Sequence, residues 1–249
     1  MPDLSVVIPV QDEEENIRLL IDEVRQALDG VLEYELIYVN DGSTDSTLEI
    51  LEDVRSEFSL LHIFSHASGV GQSSAVRTGI MGASSAIIAT LDGDGQNDPA
   101  DIPALYNALL EHAGDGVVLV NGYRKKRKDT YIKRLSSRLA NGIRGWLLDD
   151  DTPDTGCGLK VFSREAYLCI PFFDHLHRFL PAMMINGGGQ VMSVEVNHRE
   201  RQLGSSHYGF FDRLWVGVFD ILGVIWLKSR TTHPVVIKDE DHEEFNSQR

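Results

Sequence analysis

The feature that most constrains the fold is a regular alternation of strand-like and helix-like patterns over the first 122 residues. Short, continuous apolar runs rich in β-branched residues indicate buried, parallel strands, and amphipathic patterns at helical spacing separate them. The five runs are LSVVIPV, YELIYVN, LLHIFS, AIIATL and GVVLVNG. This alternation predicts an α/β, Rossmann-like fold with a mostly parallel, doubly wound sheet and helices on both faces. Ligands of such sheets bind beyond the carboxyl ends of the strands.

The second half of the chain is less regular. Helices are predicted at 133–148, around His177–Asn186 and in the strongly apolar segment 209–227, with strands at GLKVF and QVMSVEVNH. Residues 231–249 are polar and are predicted to form a disordered tail. Because no internal repeat and no clear linker interrupts the pattern, residues 1–230 are interpreted as one domain.

Composition and charge narrow the class of protein. The 249 residues carry a formal net charge of −15, which argues against nonspecific binding to nucleic acid, since a phosphate backbone favours a basic surface. The two cysteines, Cys157 and Cys169, are too few for a disulfide framework. The N-terminus lacks the basic region of a signal peptide, and no stretch of about 18 apolar residues predicts a transmembrane helix. We therefore expect a cytoplasmic chain.

The fourth apolar run ends in an acidic loop, DGDGQNDP. A calcium-binding EF-hand loop needs Gly at its sixth position and Glu at its twelfth. Counted from the first Asp, this sequence has Asn97 and Pro103 there, so that interpretation fails. An acidic turn remains an alternative, although clustered like charges favour a counter-ion. Asp92 and Asp94 can reach one hard cation, and Gln96 offers a neutral oxygen. The loop therefore predicts a Mg²⁺ or Mn²⁺ site that holds a diphosphate.

Two further loops follow strand-like runs. In NDGSTD, Asp41 can accept hydrogen bonds from a base or a ribose, or the loop can merely cap the next helix. GVGQSS lacks the Gly-Lys-Ser/Thr ending of a P-loop, so it is interpreted as a glycine-rich turn into a helix near a phosphate. At the end of the acidic loop, Asp98 is expected to cap the helix that follows Pro99.

Together these segments resemble the family 2 glycosyltransferases with the GT-A fold, in particular the polyprenyl-phosphate sugar synthases of the dolichyl-phosphate mannosyltransferase type. The resemblance covers about residues 4–230, and its motifs occur in the family's order. VIPVQDEEENI resembles the opening strand and acidic turn, VNDGSTDST the base-binding loop, and DGDGQNDP the Asp-x-Asp metal loop. DTGCGLK resembles the family's Asp-x-x-x-Gly-Phe-Arg stretch, and RQLGSSHYG its Arg-x-x-Gly-x-Ser-Lys-Tyr stretch.

The resemblance implies roles for individual residues. The nucleotide pocket would be lined by Pro9, Asp12, Glu13 and Asp41. The metal that bridges the donor diphosphate would be held by Asp92, Asp94 and Gln96. The catalytic residues implied are Asp94 and Asp154, the second as the counterpart of the family's acidic residue near the reacting centre. The acceptor phosphate would be bound by Arg124, Lys133, Arg134, Ser137, Arg201 and Ser206.

The sequence departs from the family pattern at three positions. His207 stands where the family usually has Lys, which makes a phosphate contact there weaker or pH-dependent. Leu159 replaces the usual Phe, and Lys160 replaces the usual Arg. Members of this type mostly carry transmembrane helices or a membrane partner after the catalytic domain, and no such span is predicted here. These departures bear on which acceptor the protein uses more than on the type of reaction.

The resemblance implies an inverting, metal-dependent transfer of a sugar from a GDP- or UDP-sugar to a polyprenyl phosphate at the cytoplasmic face of the membrane. A phosphate monoester is largely dianionic at neutral pH and needs no general base. The alternative acceptor is a sugar hydroxyl of a polysaccharide or glycolipid, for which Asp154 would be the base. The non-enzyme alternative is a nucleotide-sugar-binding scaffold with a degenerate site, against which the intact metal loop argues. A homo-oligomer or a membrane-protein partner is compatible with the pattern.

Some segments keep two interpretations. The basic run RKKRKD is either an exposed loop or a contact to anionic lipid headgroups. The helix at 209–227 is either a core or dimer-interface helix, or one that lies in the membrane interface with Arg213 and Asp220 outward. The acidic residues at 149–151 are interpreted as an exposed run, and HRFLPAMM as a helix at the edge of the site.

Overall fold

The described part of the chain is built on one seven-stranded sheet. The computed structural model describes residues 1–124, 145, 148, 150–199 and 210–232, and in the last of these ranges the side chains from Phe219 onward. The strands lie in the order β3-β2-β1-β4-β6-β5-β7, and β6 runs antiparallel to both of its neighbours while the others share one direction. The strands are β1 Leu4–Val10, β2 Tyr34–Asn40, β3 Leu61–Ser65, β4 Ile87–Thr90, β5 Val117–Tyr123, β6 Lys160–Ser163 and β7 Gln190–Glu195.

Helices cover both faces of this sheet, as the sequence predicts. They are α1 Ile17–Leu28, α2 Thr47–Glu57, α3 Gln72–Gly82, α4 Ile102–Glu111, α5 Arg164–Cys169, α6 Leu176–Asn186 and α7 Phe210–Arg230. Successive residues of β1 point to opposite faces. Val6 and Ile8 belong to a core shared with α1 and α4, and Val7 to a second core shared with α3, α6 and α7. The mostly parallel, two-faced α/β architecture is therefore confirmed.

The strand order reverses beside β1, which lies between β2 and β4. The helix after β1 packs in one core and the helix after β3 in the other, so the chain diverges at this point. In doubly wound sheets, such a switch point opens a crevice at the carboxyl ends of the strands. The loops after β1, β2 and β4 all begin at this edge, and they contain the acidic motifs singled out in the sequence.

Two predictions about acidic residues are wrong. Asp150 is buried rather than part of an exposed run, because its Oδ1 accepts a hydrogen bond from the Thr152 amide at 2.9 Å inside a turn. Asp220 does not point outward from α7, since its carboxylate lies 2.9 Å from Nδ1 of His175 beside α6. Phe219, Leu222 and Trp226 are exposed on the described part of that helix instead.

Several predicted segments lie wholly or mostly outside the described residues. They are most of the helix at 133–148, the basic run after Arg124, and the tail beyond residue 232. The side chain of Arg213 lies outside the described side chains as well. The predicted cap after the acidic loop is confirmed, because Oδ1 of Asp98 accepts a hydrogen bond from the Ala100 amide at 3.1 Å.

Candidate active site

The acidic loop after β4 is held in shape by hydrogen bonds from its own residues and from α3. The Asp92 amide donates to Oδ1 of Asn97 at 3.1 Å, and the Gln96 amide donates to Oδ1 of Asp94 at 3.1 Å. From the start of α3, Nε2 of Gln72 donates to Oδ1 of Asp92 at 2.8 Å. The two carboxylates therefore have defined positions at the switch point, with buried Asn97 bracing the loop beneath them.

Glycines make the space that the carboxylates occupy. A Cβ atom at Gly158 would overlap the carboxylate of Asp92. A Cβ atom at Gly93 would lie 2.5 Å from Val10 Cγ1 and 3.0 Å from the Pro9 carbonyl oxygen, which is too close for a real contact. The loop thus packs directly on the end of β1, and the segment before β6 approaches Asp92 with only backbone at the point of contact.

The electrostatics of the site fit a bound cation. Burial raises the pKa of Asp92, and the charge of Asp94 raises it further, while Lys160 and Arg124 offset part of the effect. Burial also lowers the pKa of Lys160, whose ammonium donates to the carbonyl oxygens of Thr155, at 3.2 Å, and Cys157. A divalent cation would relieve the repulsion between the two carboxylates.

The donor set is small. Among the described residues, no group of three or more His, Cys, Asp and Glu side chains could hold a metal ion. Asp92 and Asp94 with the neutral oxygen of Gln96 match Mg²⁺ or Mn²⁺, which take few protein oxygens and share the rest of their coordination with water and substrate phosphates. The residues present therefore fit the metal that the sequence predicts, and their role as its ligands stays a prediction.

Asp92→Asn is expected to stabilise the metal-free protein while it weakens Mn²⁺ binding. The ionised carboxylate is disfavoured by burial and by Asp94, and an amide removes that penalty without changing the shape of the side chain. In the presence of chelator, the melting temperature should rise by about 2 °C. Because a raised pKa means that the folded state holds its proton more tightly, the gap should close as the pH falls toward 3.8, the ordinary value for this group. A variant that melts below the wild type at pH 7 would contradict this account.

Arg124 and Asp154 form a buried, bidentate ion pair across the site. Nε of Arg124 donates to Oδ2 of Asp154 at 2.6 Å, and its Nη2 donates to Oδ1 at 2.9 Å. The side chains are 8% and 11% exposed. Burial lowers the pKa of Arg124, but the bond to Asp154 and its charge more than compensate, and the net pKa is raised. The sequence places these residues in separate roles, whereas the structure brings them together.

The predicted nucleotide-side residues gather at the ends of β1 and β2. The Thr44 amide donates to Oδ1 of Asp12 at 2.7 Å, and the Asp12 amide donates to Oγ of Ser43 at 3.0 Å. The Glu13 amide donates to Oγ1 of Thr47 at 3.0 Å. Asp12 adopts a φ of 52°, which few residues with a side chain adopt. The acidic turn and the loop after β2 are therefore joined into one surface, and Pro9 lies beneath it as the penultimate residue of β1.

Asp41 fastens the glycine-rich loop to this surface. Its two carboxylate oxygens accept hydrogen bonds from the amides of Val70, at 3.0 Å, and Gly71, at 2.8 Å. Nδ1 of His66 lies 2.7 Å from Oδ1 of Asp41, and Nε2 lies 2.9 Å from Oγ1 of Thr78. The buried Asp41 carboxylate thus holds the loop that leads into α3, a contact that its sequence motif does not indicate.

The segment after β7 is tied to the acidic loop. Asn97 and His198 form an antiparallel β-bridge, and the Arg199 amide donates to the Gln96 carbonyl oxygen at 3.1 Å. The Arg199 guanidinium lies 2.6 Å from Glu23 of α1 and 2.9 Å from Asp98. The predicted acceptor-side residues other than Arg124 lie outside the described residues. They are Lys133, Arg134, Ser137, Arg201 and Ser206.

Sequence reasoning missed the side chains that support the acidic pair. Gln72 of α3 and Gly158 before β6 contact Asp92 from two other segments, and Asn97 contacts it from within the loop. His66, whose ring lies between Asp41 and Thr78, belongs to no motif in the sequence. The one available signal was Gly158 in DTGCGLK, a glycine just before a strand, which is typical of close approach by another group.

The doubly wound sheet with an acidic loop at its switch point matches the GT-A fold expected from the sequence. The chain aligns with glucosyl-3-phosphoglycerate synthase from Mycobacterium tuberculosis, solved with Mg²⁺ and uridine diphosphate. The TM-score is 0.66 over 93% of this chain and 81% of that one, at 20% identity. This likeness confirms the predicted fold.

The chain belongs to glycosyltransferase family 2, whose model, "Glycosyl transferase family 2", matches residues 5–170. Dodecaprenyl-phosphate galacturonate synthase of Rhizobium johnstonii is 33% identical over 93% of this chain and 69% of that protein. Undecaprenyl-phosphate 4-deoxy-4-formamido-L-arabinose transferase of Pectobacterium carotovorum is 30% identical over 83% of this chain and 63% of that protein. The predicted resemblance to polyprenyl-phosphate sugar synthases is therefore confirmed, and the chain spans about two thirds of the length of these relatives.

Proposed function

We propose that this chain transfers a sugar from a nucleotide diphosphate sugar to a polyprenyl phosphate, in a metal-dependent reaction that inverts the anomeric centre. The observation that carries the proposal is the bidentate Arg124–Asp154 pair, whose guanidinium also acts electrostatically on Asp92. The pair consists of a guanidinium cation and a carboxylate bonded to it, and both lie beside the predicted metal loop. The two relatives described above, each named for a polyprenyl phosphate and a sugar, support the same reaction.

The engagement of Asp154 favours a phosphate acceptor over a sugar hydroxyl. Both oxygens of its carboxylate accept hydrogen bonds from Arg124, which commits the group to a buried ion pair. A hydroxyl acceptor needs a general base within hydrogen-bonding reach. A phosphate monoester is largely dianionic at neutral pH and does not. We therefore assign Asp154 to positioning Arg124, and Arg124 to attracting the acceptor anion.

The reaction balances without a proton transfer. An oxygen of the acceptor phosphate forms a bond to the anomeric carbon of the sugar, and the bond from that carbon to the donor diphosphate breaks. The electron pair leaves with the nucleoside diphosphate. A divalent metal held by Asp92, Asp94 and Gln96 would orient the diphosphate and neutralise its charge. The chain itself must desolvate and align two anions, for which Lys160 and Arg124 supply buried positive charge.

The remaining assignments follow the surfaces described above. The surface formed by the acidic turn and the loop after β2 would bind the nucleotide through Pro9, Asp12, Glu13 and Asp41. Asp41 would act there partly through the glycine-rich loop that it holds. The acceptor phosphate would be bound by Arg124 together with Lys133, Arg134, Ser137, Arg201 and Ser206.

The exposed face of α7 supports a peripheral position at the membrane. Phe219, Leu222 and Trp226 are 70%, 57% and 59% exposed, and they recur at helical spacing. None of the helices in the described ranges is long and apolar enough to cross a membrane. An apolar stripe on a helix whose other face packs into the core can insert into the boundary between headgroups and acyl chains. We assign this stripe to the interface, at the cytoplasmic face where nucleotide sugars are present.

Trp226→Asp is expected to reduce binding to lipid vesicles several-fold, because it removes a large apolar side chain from the stripe and adds a charge. Flotation with vesicles containing an anionic lipid would measure it. Leu110→Asp is the matched control, since Leu110 is an exposed apolar residue of α4 on the opposite face of the sheet. Equal flotation of both variants and the wild type would contradict the assignment.

The proposed function is tested by incubating the protein with a panel of UDP- and GDP-sugars, Mn²⁺ or Mg²⁺, and undecaprenyl phosphate. We expect one donor to yield a lipid-linked sugar with the inverted anomeric configuration, and chelator to stop the transfer. A parallel reaction replaces the lipid phosphate with oligosaccharide or glycolipid acceptors. Transfer to those hydroxyl acceptors alone, or transfer that chelator does not affect, would refute the proposal.

A further inference from the structure

His177 lies outside the sets assigned above, yet its ring is fixed beside them. It is the second residue of α6, and Nδ1 of its ring lies 2.7 Å from Oγ of Ser73 in α3. The His177 amide donates to the same oxygen at 3.2 Å. Ser73 is buried, and it directly follows Gln72, whose side chain is bonded to Asp92. Two neighbouring residues of α3 therefore position Asp92 and His177.

The hydrogen bonds with Ser73 favour one tautomer of the ring. A backbone amide can only donate, so Oγ of Ser73 accepts from the His177 amide. No other acceptor among the described residues takes the hydroxyl hydrogen of Ser73, and Nδ1 is at the right distance to do so. In a neutral imidazole one nitrogen accepts and the other carries the hydrogen. With Nδ1 as the acceptor, Nε2 carries the hydrogen and is a donor.

The surroundings keep this ring neutral. Burial, together with the charges of Arg178 and Lys160 and the nearby His175, lowers the pKa of His177 to about 3. No described side chain accepts a hydrogen bond from Nε2, and the residue is only partly buried. A neutral donor beside Lys160 avoids the desolvation cost of another buried cation. The Nε2–H group is thus available to a ligand at physiological pH.

We propose that Nε2 of His177 donates a hydrogen bond to a diphosphate oxygen of the nucleotide-sugar donor. The inference rests on the proposed function for the identity of the donor. Lys160 acts electrostatically on both Asp92 and His177, so the ring lies near the charges that would surround the diphosphate. A hydrogen bond of this kind strengthens as negative charge develops on the leaving group. His177 is then a donor-binding residue on the α3 side of the metal loop.

Two conservative variants separate this role from a structural one. In His177→Asn, the side-chain oxygen can still accept from Ser73 at the position of Nδ1, but nothing replaces Nε2–H. In His177→Gln, the amide nitrogen reaches the position of Nε2 and can donate, while the bond to Ser73 is lost. A purely structural histidine predicts that Asn is tolerated and Gln is not. The present inference predicts the reverse order.

The test is calorimetric titration of wild type, His177→Asn and His177→Gln with UDP and with GDP, each in the presence of Mn²⁺. For the nucleotide that the wild type binds, we expect Asn to weaken the affinity roughly tenfold and Gln to stay within about threefold. Thermal melting confirms that each variant is folded, so that a change in affinity reports on the binding site and not on stability. Asn binding like the wild type, or the two variants weakened equally, would overturn the inference.

Nucleotide binding needs no lipid acceptor, so the affinities measured by calorimetry do not depend on the result of the transfer assay. One outcome is that sugar transfer to undecaprenyl phosphate fails while His177→Asn weakens nucleotide binding and His177→Gln does not. That result refutes the acceptor assignment and leaves the role of His177 intact. If the wild type binds neither nucleotide, the proposed donor class and the role of His177 are both overturned.

Discussion

Asp94→Ala is expected to lower the rate of sugar transfer roughly 1,000-fold. Removing one of two carboxylates from the acidic loop removes a predicted metal ligand, and metal stabilisation of a leaving diphosphate supplies several kcal/mol. Each 1.36 kcal/mol corresponds to a factor of ten in rate. The measurement is kcat and KM with the best donor over a Mn²⁺ titration, and we expect the loss to persist at saturating Mn²⁺.

Asp22→Ala provides the control for this substitution. Asp22 is an acidic residue of α1 whose side chain is 74% exposed. Its substitution by Ala removes the same charge from the chain without changing the site. It should retain wild-type rates. If Asp94→Ala is as active as Asp22→Ala, the acidic loop is a turn and not a metal site.

Arg124→Met is expected to destabilise the protein by about 3–5 kcal/mol and to abolish detectable transfer. The substitution leaves the carboxylate of Asp154 buried without its bidentate partner, and breaking one side of a buried ion pair costs about that much. The double variant Arg124→Met/Asp154→Leu should recover most of the stability, because two apolar side chains replace the pair. It should not recover activity, since the cation assigned to the acceptor phosphate is still missing. Urea unfolding and the transfer assay measure the two effects separately.

An exposed ion pair serves as the comparison. Arg18 and Asp53 contact each other with side chains 55% and 59% exposed, and exposed pairs contribute about 0–1 kcal/mol. Arg18→Met should therefore leave both stability and transfer nearly unchanged. Recovery of transfer in the double variant at the buried pair would show that Arg124 and Asp154 act only in folding.

The architecture could be predicted from local patterns. Apolar β-branched runs such as those of β1 and β2 favour buried strands regardless of their distant neighbours, and alternation with amphipathic helices leaves few topologies. The antiparallel direction of β6 was not predicted, because strand direction depends on the path of the chain before it. The burial of Asp150 was not predicted either, because a run of acidic residues generally indicates an exposed segment.

In the candidate site, too, some features follow from local sequence and others depend on the tertiary structure. The Asp-x-Asp spacing and the order of the loops belong to the sequence, since they depend only on residues that are close along the chain. The partners of those residues do not. Asp154 follows Arg124 by 30 positions, and His177 follows Ser73 by 104. Only folding brings such groups within hydrogen-bonding distance.

By itself, the sequence determined the fold class, the family and the acidic pair, because these depend on residues that are close along the chain. The tertiary structure alone decided that Asp154 pairs with Arg124, that Asp41 holds the glycine-rich loop, and that an apolar face of α7 is outward. It also decided that the ring of His177 lies against Ser73. These properties depend on burial and on hydrogen-bond partners far away in sequence, and neither is encoded in a local pattern.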